Sequence, residues 1–346
     1  MTNFHQTDQK YTLHHTLLPL LKTVSRSFYL SIRILPQKAM PAICIAYLIA
    51  RTADSIADSP SRNRDLKKRL LLSLQSLMQP NATTVLKNPL IREDIIRLEL
   101  DSTEQNLLQS LSIVLDCYTQ LSRAEQEPVA NVVTTLISGM LEDMALYKEN
   151  QSLASLETMQ DLDKYTYLVA GCVGEFWTRI LQMHYGSVLH WNLEEQIENG
   201  IKFGKALQLT NILRDISKDA KLGRCYLPEQ LMTNAHLSPS VILTADNSLI
   251  LQPVLTKLLN TALTYYDHAE RYLLNTPRRQ IKMRLAAIWP IAIGLKTLAL
   301  IKHNQDLNKP VKIKRQQVYR LMLISPLFIF SNTLSHTYLE YLKRDL

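Results

Sequence analysis

The 346-residue chain has little glycine and little cysteine, and each shortage excludes a class of protein. Only 8 residues are glycine, well below the roughly 7% that is usual, so glycine-rich low-complexity and collagen-like chains are excluded. The four cysteines (Cys44, Cys117, Cys172 and Cys225) are widely spaced and form no Cys-x-x-Cys pair. This pattern excludes a zinc ribbon or disulfide scaffold and is typical of reduced thiols in the cytosol.

The alternation of apolar and polar residues that is typical of strands is also missing. Apolar residues recur instead at helical spacing, in long segments separated by short polar breaks. The sequence therefore predicts an all-α fold. The first ten residues are polar, so no signal peptide is expected. The apolar run 321–330 contains Pro326 and is shorter than the about 20 residues that span a bilayer, so no transmembrane helix is expected.

The net charge of +8 is moderate, with 39 basic and 31 acidic residues. A basic balance of this size suits an anionic small substrate or an anionic membrane surface. The basic residues are dispersed and no nucleic-acid-binding motif is present, so a nucleic-acid partner is not expected. The dinucleotide-binding pattern Gly-x-Gly-x-x-Gly is absent as well.

What the sequence does contain is a pair of aspartates one helical turn apart on an apolar helix. At 100° per residue, four polar residues fall within about 80° of arc: Gln208, Asn211, Asp215 and Asp219. The residues beside this stripe are apolar, so the helix is predicted to be mostly buried. Paired carboxylates in such a setting need a counter-charge, and Mg²⁺ with substrate phosphates supplies one.

A second stripe of the same kind lies far upstream and contains Tyr47, Arg51, Asp54 and Asp58. A single Asp-x-x-x-Asp pattern is more often a solvated helix face. Two such patterns on apolar helices, each with a neighbouring arginine, predict a facing pair of sites for several divalent cations. The predicted metal ligands are Asp54, Asp58, Asp215 and Asp219. The nearby arginines suit a polyanionic phosphate ligand: Arg26, Arg51, Arg214 and Arg224.

Four ordered motifs make the chain resemble the squalene/phytoene synthase family over about residues 20 to 300. They are Ser25-Arg26-Ser27-Phe28-Tyr29-Leu30, the segment 51–58, the segment 163–174 and the segment 211–228. The resemblance implies an isoprenoid-synthase-type helical bundle around a central cavity. It also implies head-to-head condensation of two prenyl diphosphates. The residues of segments 47–54 and 169–174 are more like those of the squalene synthase branch of the family.

The resemblance assigns roles to individual residues. Tyr165, which alone would be interpreted as a core or rim tyrosine, matches the tyrosine that moves a proton or steadies the carbocation. The predicted catalytic residues are Tyr165, Arg51 and Arg214. The predicted substrate-binding residues are Ser25, Arg26, Ser27, Phe28, Tyr47, Gln208, Asn211, Arg224 and Tyr226. For the serines at 25 and 27, a helix N-cap is the alternative interpretation.

The function implied is Mg²⁺-dependent condensation of two farnesyl diphosphates to presqualene diphosphate, followed by NADPH-dependent reduction to squalene. The use of NADPH rests on the resemblance alone. Three alternatives remain: a presqualene diphosphate synthase without reduction, a phytoene synthase that uses geranylgeranyl diphosphate, and a non-enzymatic assembly factor with the same fold. The last is disfavoured because both aspartate pairs are intact.

The sequence predicts a single domain over 1–346, with a core at about 20–302 and a C-terminal helical extension at 311–346. The protein is expected to be cytoplasmic, with peripheral contact at the inner membrane face. The carboxylate helices are predicted to end near Ser59 and Ala220, and one helix is predicted from Lys164 to Tyr185. Glycines inside that last helix predict close approach of a neighbouring helix or of substrate.

Overall fold

The computed structural model describes residues 13–25, 27–79, 90–147, 153–244, 248–304, 306–307, 309 and 311–346. Within this part of the chain nearly every element is a helix, so the predicted all-α class is confirmed. The strands described there are β1 (Ala154–Ser155) and β2 (Arg224–Cys225), two residues each, which pair in parallel. Arg26, a predicted phosphate-binding residue, lies outside the described residues.

The chain divides into two compact units. Unit 1 consists of Met1–Met144 with Arg179–His184, and unit 2 consists of Ala145–Thr178 with Tyr185–Leu346. The single domain expected from the sequence, like its central cavity, stays a prediction.

Unit 1 is organised around one apolar helix, α3, most of whose residues are buried. Its elements are a π turn (Leu13–Leu17), α1 (Leu18–Val24), α2 (Ser27–Arg33), α3 (Met40–Ala57), α4 (Arg64–Ser76), α5 (Leu90–Ile96), α6 (Ser102–Gln109), α7 (Leu111–Thr119) and α8 (Arg123–Leu146). Helix α3 packs against α1, α2, α4, α6 and α7. Pro41 stands in its first turn, where no backbone N–H is needed.

Unit 2 is organised around α11, a helix of 29 residues. Its elements are β1, α9 (Met159–Thr166), a π turn (Tyr167–Gly171), α10 (Cys172–Leu189, shared with unit 1), α11 (Leu193–Lys221), β2, α12 (Glu229–Asn234), α13 (Val241–Thr244), a 3₁₀ turn (Ser248–Leu251), α14 (Gln252–Asn275), α15 (Ile281–Lys302), α16 (Arg315–Ile324), a second 3₁₀ turn (Ser325–Leu327) and α17 (Asn332–Lys343). Helix α11 packs along α14 and against α15 and the π turn.

The helix predicted from Lys164 to Tyr185 is not one α-helix. The π turn Tyr167–Gly171 interrupts it, adding a residue to one turn between α9 and α10. Just beyond this turn α10 crosses α11 so closely that a Cβ atom on Gly174 would collide with the carbonyl oxygen of Gly200. The expected close approach of a neighbouring helix is confirmed. The π turn itself was missed because its extra residue leaves no mark on the apolar periodicity.

Three described helices are long and apolar enough to cross a membrane by length and composition: Met40–Ala57, Arg123–Leu146 and Ile281–Lys302. None of these three helices was expected from the sequence as a possible span, since only the shorter run 321–330 stood out as one. In the first and third of these helices 67% and 61% of the apolar window is buried inside the protein, against 33% in the second. The apolar character of α3 and α15 therefore serves the packing of their own units.

The helix crossing predicts an unequal response to two alanine substitutions. Gly174→Ala should lower the free energy of unfolding by at least about 2 kcal/mol, because the added methyl meets backbone that cannot move aside. Gly171→Ala should have a much smaller effect, since its Cβ would face side-chain atoms of Tyr167 and Ile201 at 3.1 and 3.2 Å, which can shift. Urea and thermal unfolding measure both. Equal losses in the two variants would contradict a backbone-limited crossing.

Candidate active site

The first aspartate pair lies at the C-terminal end of α3. Asp54 is in the last turn, whereas Asp58 stands just outside the helix as its C-cap, with its backbone N–H donating to the Asp54 carbonyl at 2.9 Å. The helix thus ends at Ala57, close to the predicted boundary. Carboxylates at this end of a helix are disfavoured, because the last turn already carries partial negative charge. The pair therefore requires positive charge nearby.

Part of that charge comes from Arg51, one turn before Asp54. Its guanidinium donates to the Asp54 carboxylate and to Oε1 of Glu104 on α6, the latter at 3.3 Å. Ser55 also donates to Glu104, at 3.2 Å. Burial and the neighbouring charge of Asp58 raise the pKa of Asp54 despite the contact with Arg51. Arg51 therefore only partly offsets the cost of the pair.

Glu104 is a residue that the sequence analysis missed. It stands three positions after Asp101, the N-cap of α6, where an acidic side chain is common at the start of a helix. That ordinary explanation concealed its contact with Arg51.

Lys67 was missed for a similar reason, because it belongs to a basic run that resembles a solvated face. Its ammonium donates to the carbonyl oxygens of Ala57 and Ser59 at 3.2 and 2.6 Å and so neutralises the end of α3.

Three of the predicted substrate-binding residues lie together in unit 1. The rings of Phe28 and Tyr47 are 5.7 Å apart, and the side chain of Tyr47 is hydrogen-bonded to Ser25. Burial raises the pKa of the Tyr47 hydroxyl, which therefore stays protonated at neutral pH. Ser25 is buried and Phe28 is 46% exposed, so Phe28 offers an open aromatic face. Ser27 begins α2.

The second aspartate pair also lies near a helix C-terminus, in the last turns of α11. Arg214 clamps Asp215 with two hydrogen bonds, from Nε to Oδ1 at 2.9 Å and from Nη2 to Oδ2 at 2.6 Å. The hydrogen bonds with Asp215, together with the charge of Asp219, raise the pKa of the Arg214 guanidinium. The predicted polar stripe is present: Gln208, Asn211, Asp215 and Asp219 all keep exposed surface, while Leu209, Ile212, Leu213 and Ile216 are buried.

Asp219, Arg224 and Tyr226 line one pocket of unit 2, whose empty volume, partly open to solvent, is about 190 Å³. Gly223, at a φ of 78°, turns the chain from α11 into β2 and so brings Arg224 back beside the helix. The strand is then held by β1, where Leu156 donates to the Cys225 carbonyl at 3.2 Å. The predicted metal ligand Asp219 and the two predicted substrate-binding residues are therefore fixed next to one another.

An aromatic cluster surrounds the predicted catalytic tyrosine. The rings of Tyr165 and Tyr226 are stacked at 4.7 Å with an interplanar angle of 21°. Tyr147 packs edge-on against Tyr226 at 5.3 Å, and its hydroxyl donates to the Cys225 carbonyl at 2.9 Å. Tyr147 was missed, because nothing in the sequence links a residue 79 positions upstream to Tyr226. The cluster fixes the plane of the Tyr165 ring.

Asp163, two residues before Tyr165, forms an ionic network that the spacing of residues did not predict. Its Oδ1 accepts from the Lys205 ammonium at 2.7 Å and from the Tyr265 hydroxyl at 2.8 Å. Although partial burial raises it, these hydrogen bonds bring the pKa of Asp163 below its usual range. Lys205 is 5% exposed, and burial lowers its pKa. The network ties α9, which bears Tyr165, to α11 and α14.

Comparison with known proteins decides the family. A family model described as Squalene/phytoene synthase matches residues 21–317. The chain belongs to the squalene/phytoene synthase family. It is 26% identical over 330 residues to a squalene synthase from Eremothecium gossypii, which covers 94% of this chain and 71% of that protein. It is also 30% identical over 253 residues to a bifunctional lycopene cyclase/phytoene synthase from Pyrenophora tritici-repentis, covering 72% of this chain and 40% of that protein.

The fold agrees with the family. A solved structure described as TcSQS with the ligand BPH1237 superimposes with a TM-score of 0.71 at 22% identity, covering 98% of this chain and 97% of that one. The resemblance seen in the sequence motifs is confirmed, as is the isoprenoid-synthase-type fold. The chain is a prenyltransferase of this family, and its relatives at this identity include both squalene and phytoene synthases.

The Asp163 network predicts that its two charges are not equally costly to remove. Asp163→Asn should lower the free energy of unfolding by about 2 to 3 kcal/mol, because it leaves the ammonium of Lys205 buried without its counter-ion. Lys205→Met should cost less, since the side chain of Asp163 is 45% exposed and can be solvated. Urea denaturation of the two variants tests this order. A larger loss for Lys205→Met would show that the lysine contributes mainly by packing.

Proposed function

We propose that the protein condenses two farnesyl diphosphates head to head into presqualene diphosphate and reduces this intermediate to squalene with NADPH. The observation that carries the proposal is the placement of both aspartate pairs. Each stands near the C-terminal end of a helix, with an arginine bound to its first carboxylate. Most of α3 is buried, whereas α11 is buried along one face only. Such an arrangement is costly for the fold alone and is suited to a cation that arrives with a polyanionic substrate.

The four aspartates are the proposed Mg²⁺ ligands. Their oxygen donors match the preference of this hard cation. Burial, and after it the charge of Asp58, raises the pKa of Asp54, and a bound cation would favour the ionised carboxylates of this pair. When bound, Mg²⁺ neutralises the diphosphate and makes it a better leaving group. The pairs Asp54 with Asp58 and Asp215 with Asp219 are proposed to act in the same reaction.

The arginines of the two pairs are proposed to exchange partners on substrate binding. Arg51 and Arg214 bind Asp54 and Asp215 in the free protein. A cation bound to those carboxylates would release both guanidinium groups, whose planar fork of donors suits phosphate oxygens. Arg224 lies beside Asp219 in the same pocket and is proposed to bind phosphate directly. Arg26 is proposed for the same role by family resemblance.

The aromatic residues are proposed to face the reacting carbons. In the first step the C–O bond of one substrate breaks, the electron pair leaves with the diphosphate, and an allylic cation remains. The double bond of the second chain attacks this cation, and loss of a proton closes the cyclopropane ring.

The stacked rings of Tyr165 and Tyr226 can stabilise positive charge through their faces, and the Tyr165 hydroxyl is the proposed proton carrier. Gln208, Asn211, Tyr47 and Phe28 are proposed to line the reacting end.

The reductive half of the proposal rests on the family resemblance. Hydride from NADPH would be added at carbon after the cyclopropyl diphosphate ionises a second time. No residues of this chain are assigned to the nucleotide. The similarity to squalene synthases over 94% of the chain supports this branch.

Phytoene synthesis from geranylgeranyl diphosphate is the second candidate function. The 30% identity to a bifunctional lycopene cyclase/phytoene synthase favours it, although that match covers less of the chain. The two reactions share the condensation step and differ in chain length and in the need for reductant. Chain length is decided by side-chain volumes along the substrate tunnel, where a methylene is worth only about 1 kcal/mol. A presqualene diphosphate synthase would be the same enzyme without the reduction.

A cytoplasmic protein in peripheral contact with a membrane is the proposed location. The proposed substrates carry long apolar chains, and the product has no polar group, so both partition into lipid. The basic balance of the chain agrees with an anionic membrane surface.

Asparagine substitutions of the proposed ligands test the metal assignment. Asp54→Asn and Asp215→Asn should each lower kcat/KM for condensation by at least about 100-fold, because each removes a charged metal ligand without changing side-chain size. Asp116→Asn, an exposed position on α7, is the matched control and should leave turnover unchanged. Circular dichroism confirms that the variants fold. Near wild-type activity of either variant at saturating Mg²⁺ would exclude the assignment.

Product analysis by mass spectrometry tests the substrate and the reductant. The purified protein is given farnesyl or geranylgeranyl diphosphate with Mg²⁺, each with and without NADPH. We expect squalene from the shorter substrate with NADPH, and presqualene diphosphate when NADPH is omitted. Phytoene as the main product would establish the second candidate instead, and a product set that ignores NADPH would indicate a presqualene diphosphate synthase.

A further inference from the structure

A row of large apolar side chains is exposed along the C-terminal part of unit 2. Tyr319 and Leu323 on α16 are 64% and 80% exposed, and Leu327 and Phe330 beyond it are 69% and 56% exposed. With Leu334, which is 47% exposed, these five residues form what we call the C-terminal apolar patch. Tyr319 and Leu323, four positions apart, share one face of α16. Leu327 lies on the 3₁₀ turn that follows, Phe330 lies in the turn after it, and Leu334 lies at the start of α17. No residue of α16 is buried.

The segment that bears the patch is held from its inner side. Leu321 and Phe328 pack on the core of unit 2, and the rings of Phe328 and Tyr338 stack at 4.4 Å. Ser325, fully buried, accepts a hydrogen bond from the Trp289 indole at 2.8 Å. The run 321–330 therefore divides into an inward and an outward face. The outward face is presented by an anchored segment, not by a loose end.

The segment that bears the patch carries charge of one sign along its sequence, although its first lysine, Lys309, pairs with Asp306 at 3.3 Å. From residue 307 to residue 339 the chain contains five basic residues and no aspartate or glutamate: Lys309, Lys312, Lys314, Arg315 and Arg320. The last four of these are exposed. Basic residues beside an exposed apolar helix face are what an anionic lipid surface attracts, with the apolar side chains entering the boundary between headgroups and acyl chains.

We propose that the C-terminal apolar patch docks the protein on an anionic lipid bilayer, where it lies at the surface without crossing. A second copy of the chain is a less favourable partner for the patch, because a symmetric contact through this face would bring the two basic segments together. The use of the surface rests on the proposed function, since docking would hold a prenyltransferase at the phase that contains its apolar substrates and product.

Sedimentation with lipid vesicles tests the proposal on the full-length protein. The vesicles are phosphatidylcholine alone, or phosphatidylcholine with one quarter phosphatidylglycerol. The apolar variant is Leu323→Ser/Leu327→Ser/Phe330→Ser, and the charge variant is Arg315→Gln/Arg320→Gln. Ile96→Ser is the matched control, because Ile96 is 80% exposed, as is Leu323, but lies in unit 1. Prenyl diphosphate consumption in detergent micelles and the thermal midpoint are measured on the same samples.

We expect wild type and Ile96→Ser to bind the anionic vesicles and to bind the neutral ones weakly. The apolar variant should lose at least about tenfold in partitioning, and the charge variant about fivefold for each arginine. Both should keep their activity in micelles and their thermal midpoint. Undiminished binding by the apolar variant, equal binding of wild type to both vesicles, or a dimer that the apolar variant dissociates would each overturn the proposal. Vesicle binding without prenyl diphosphate consumption would instead refute the proposed function and leave the docking surface standing.

Discussion

The position of four carboxylates near the C-terminal ends of α3 and α11 is the constraint on which the rest of the structure depends. Asp54, Asp58 and Asp219, in or beside the last turns, oppose the helix dipole, and burial adds a cost for Asp54. The protein meets this cost locally, through Arg51 and the Lys67 cap in unit 1 and through the bidentate clamp of Arg214 in unit 2. For Asp54 this offset is only partial, because its pKa stays raised despite the contact with Arg51.

The features that could be predicted from the sequence are those that depend on nearby residues alone. Helix class and helix ends followed from periodicity, and the aspartate stripes followed from 100° spacing, because both are local properties of the chain. The stripe of Gln208, Asn211 and Asp215 was predicted with its flanking buried residues for this reason. Its assignment to metal and phosphate, however, came from the ordered motifs and from family resemblance, and it is still a proposal.

What the sequence did not reveal depends on contacts between distant segments. Glu104 meets Arg51 across 53 residues, and Lys205 meets Asp163 across 42. Taken singly, these residues have ordinary explanations, as a helix-starting acid and as one lysine among many. The π turn at Tyr167–Gly171 and the aromatic contact of Tyr147 with Tyr226 likewise arise from packing, not from any periodic pattern. Glu104 and Tyr147 each contact a predicted site residue without belonging to a motif.

The glycine crossing sets how closely α11 approaches α10 and therefore helps to set the direction of α11. Gly200, at the crossing, lies 15 residues before Asp215, which at 1.5 Å per residue is about 22 Å along the helix. A tilt of α11 by only about 3° at the crossing would therefore move the Asp215 carboxylate about 1 Å sideways. If Asp215 acts as the proposed metal ligand, a misplacement of that size would cost on the order of 100-fold in rate. The absence of a single methyl group at Gly174 thus affects the position of a side chain far along the neighbouring helix.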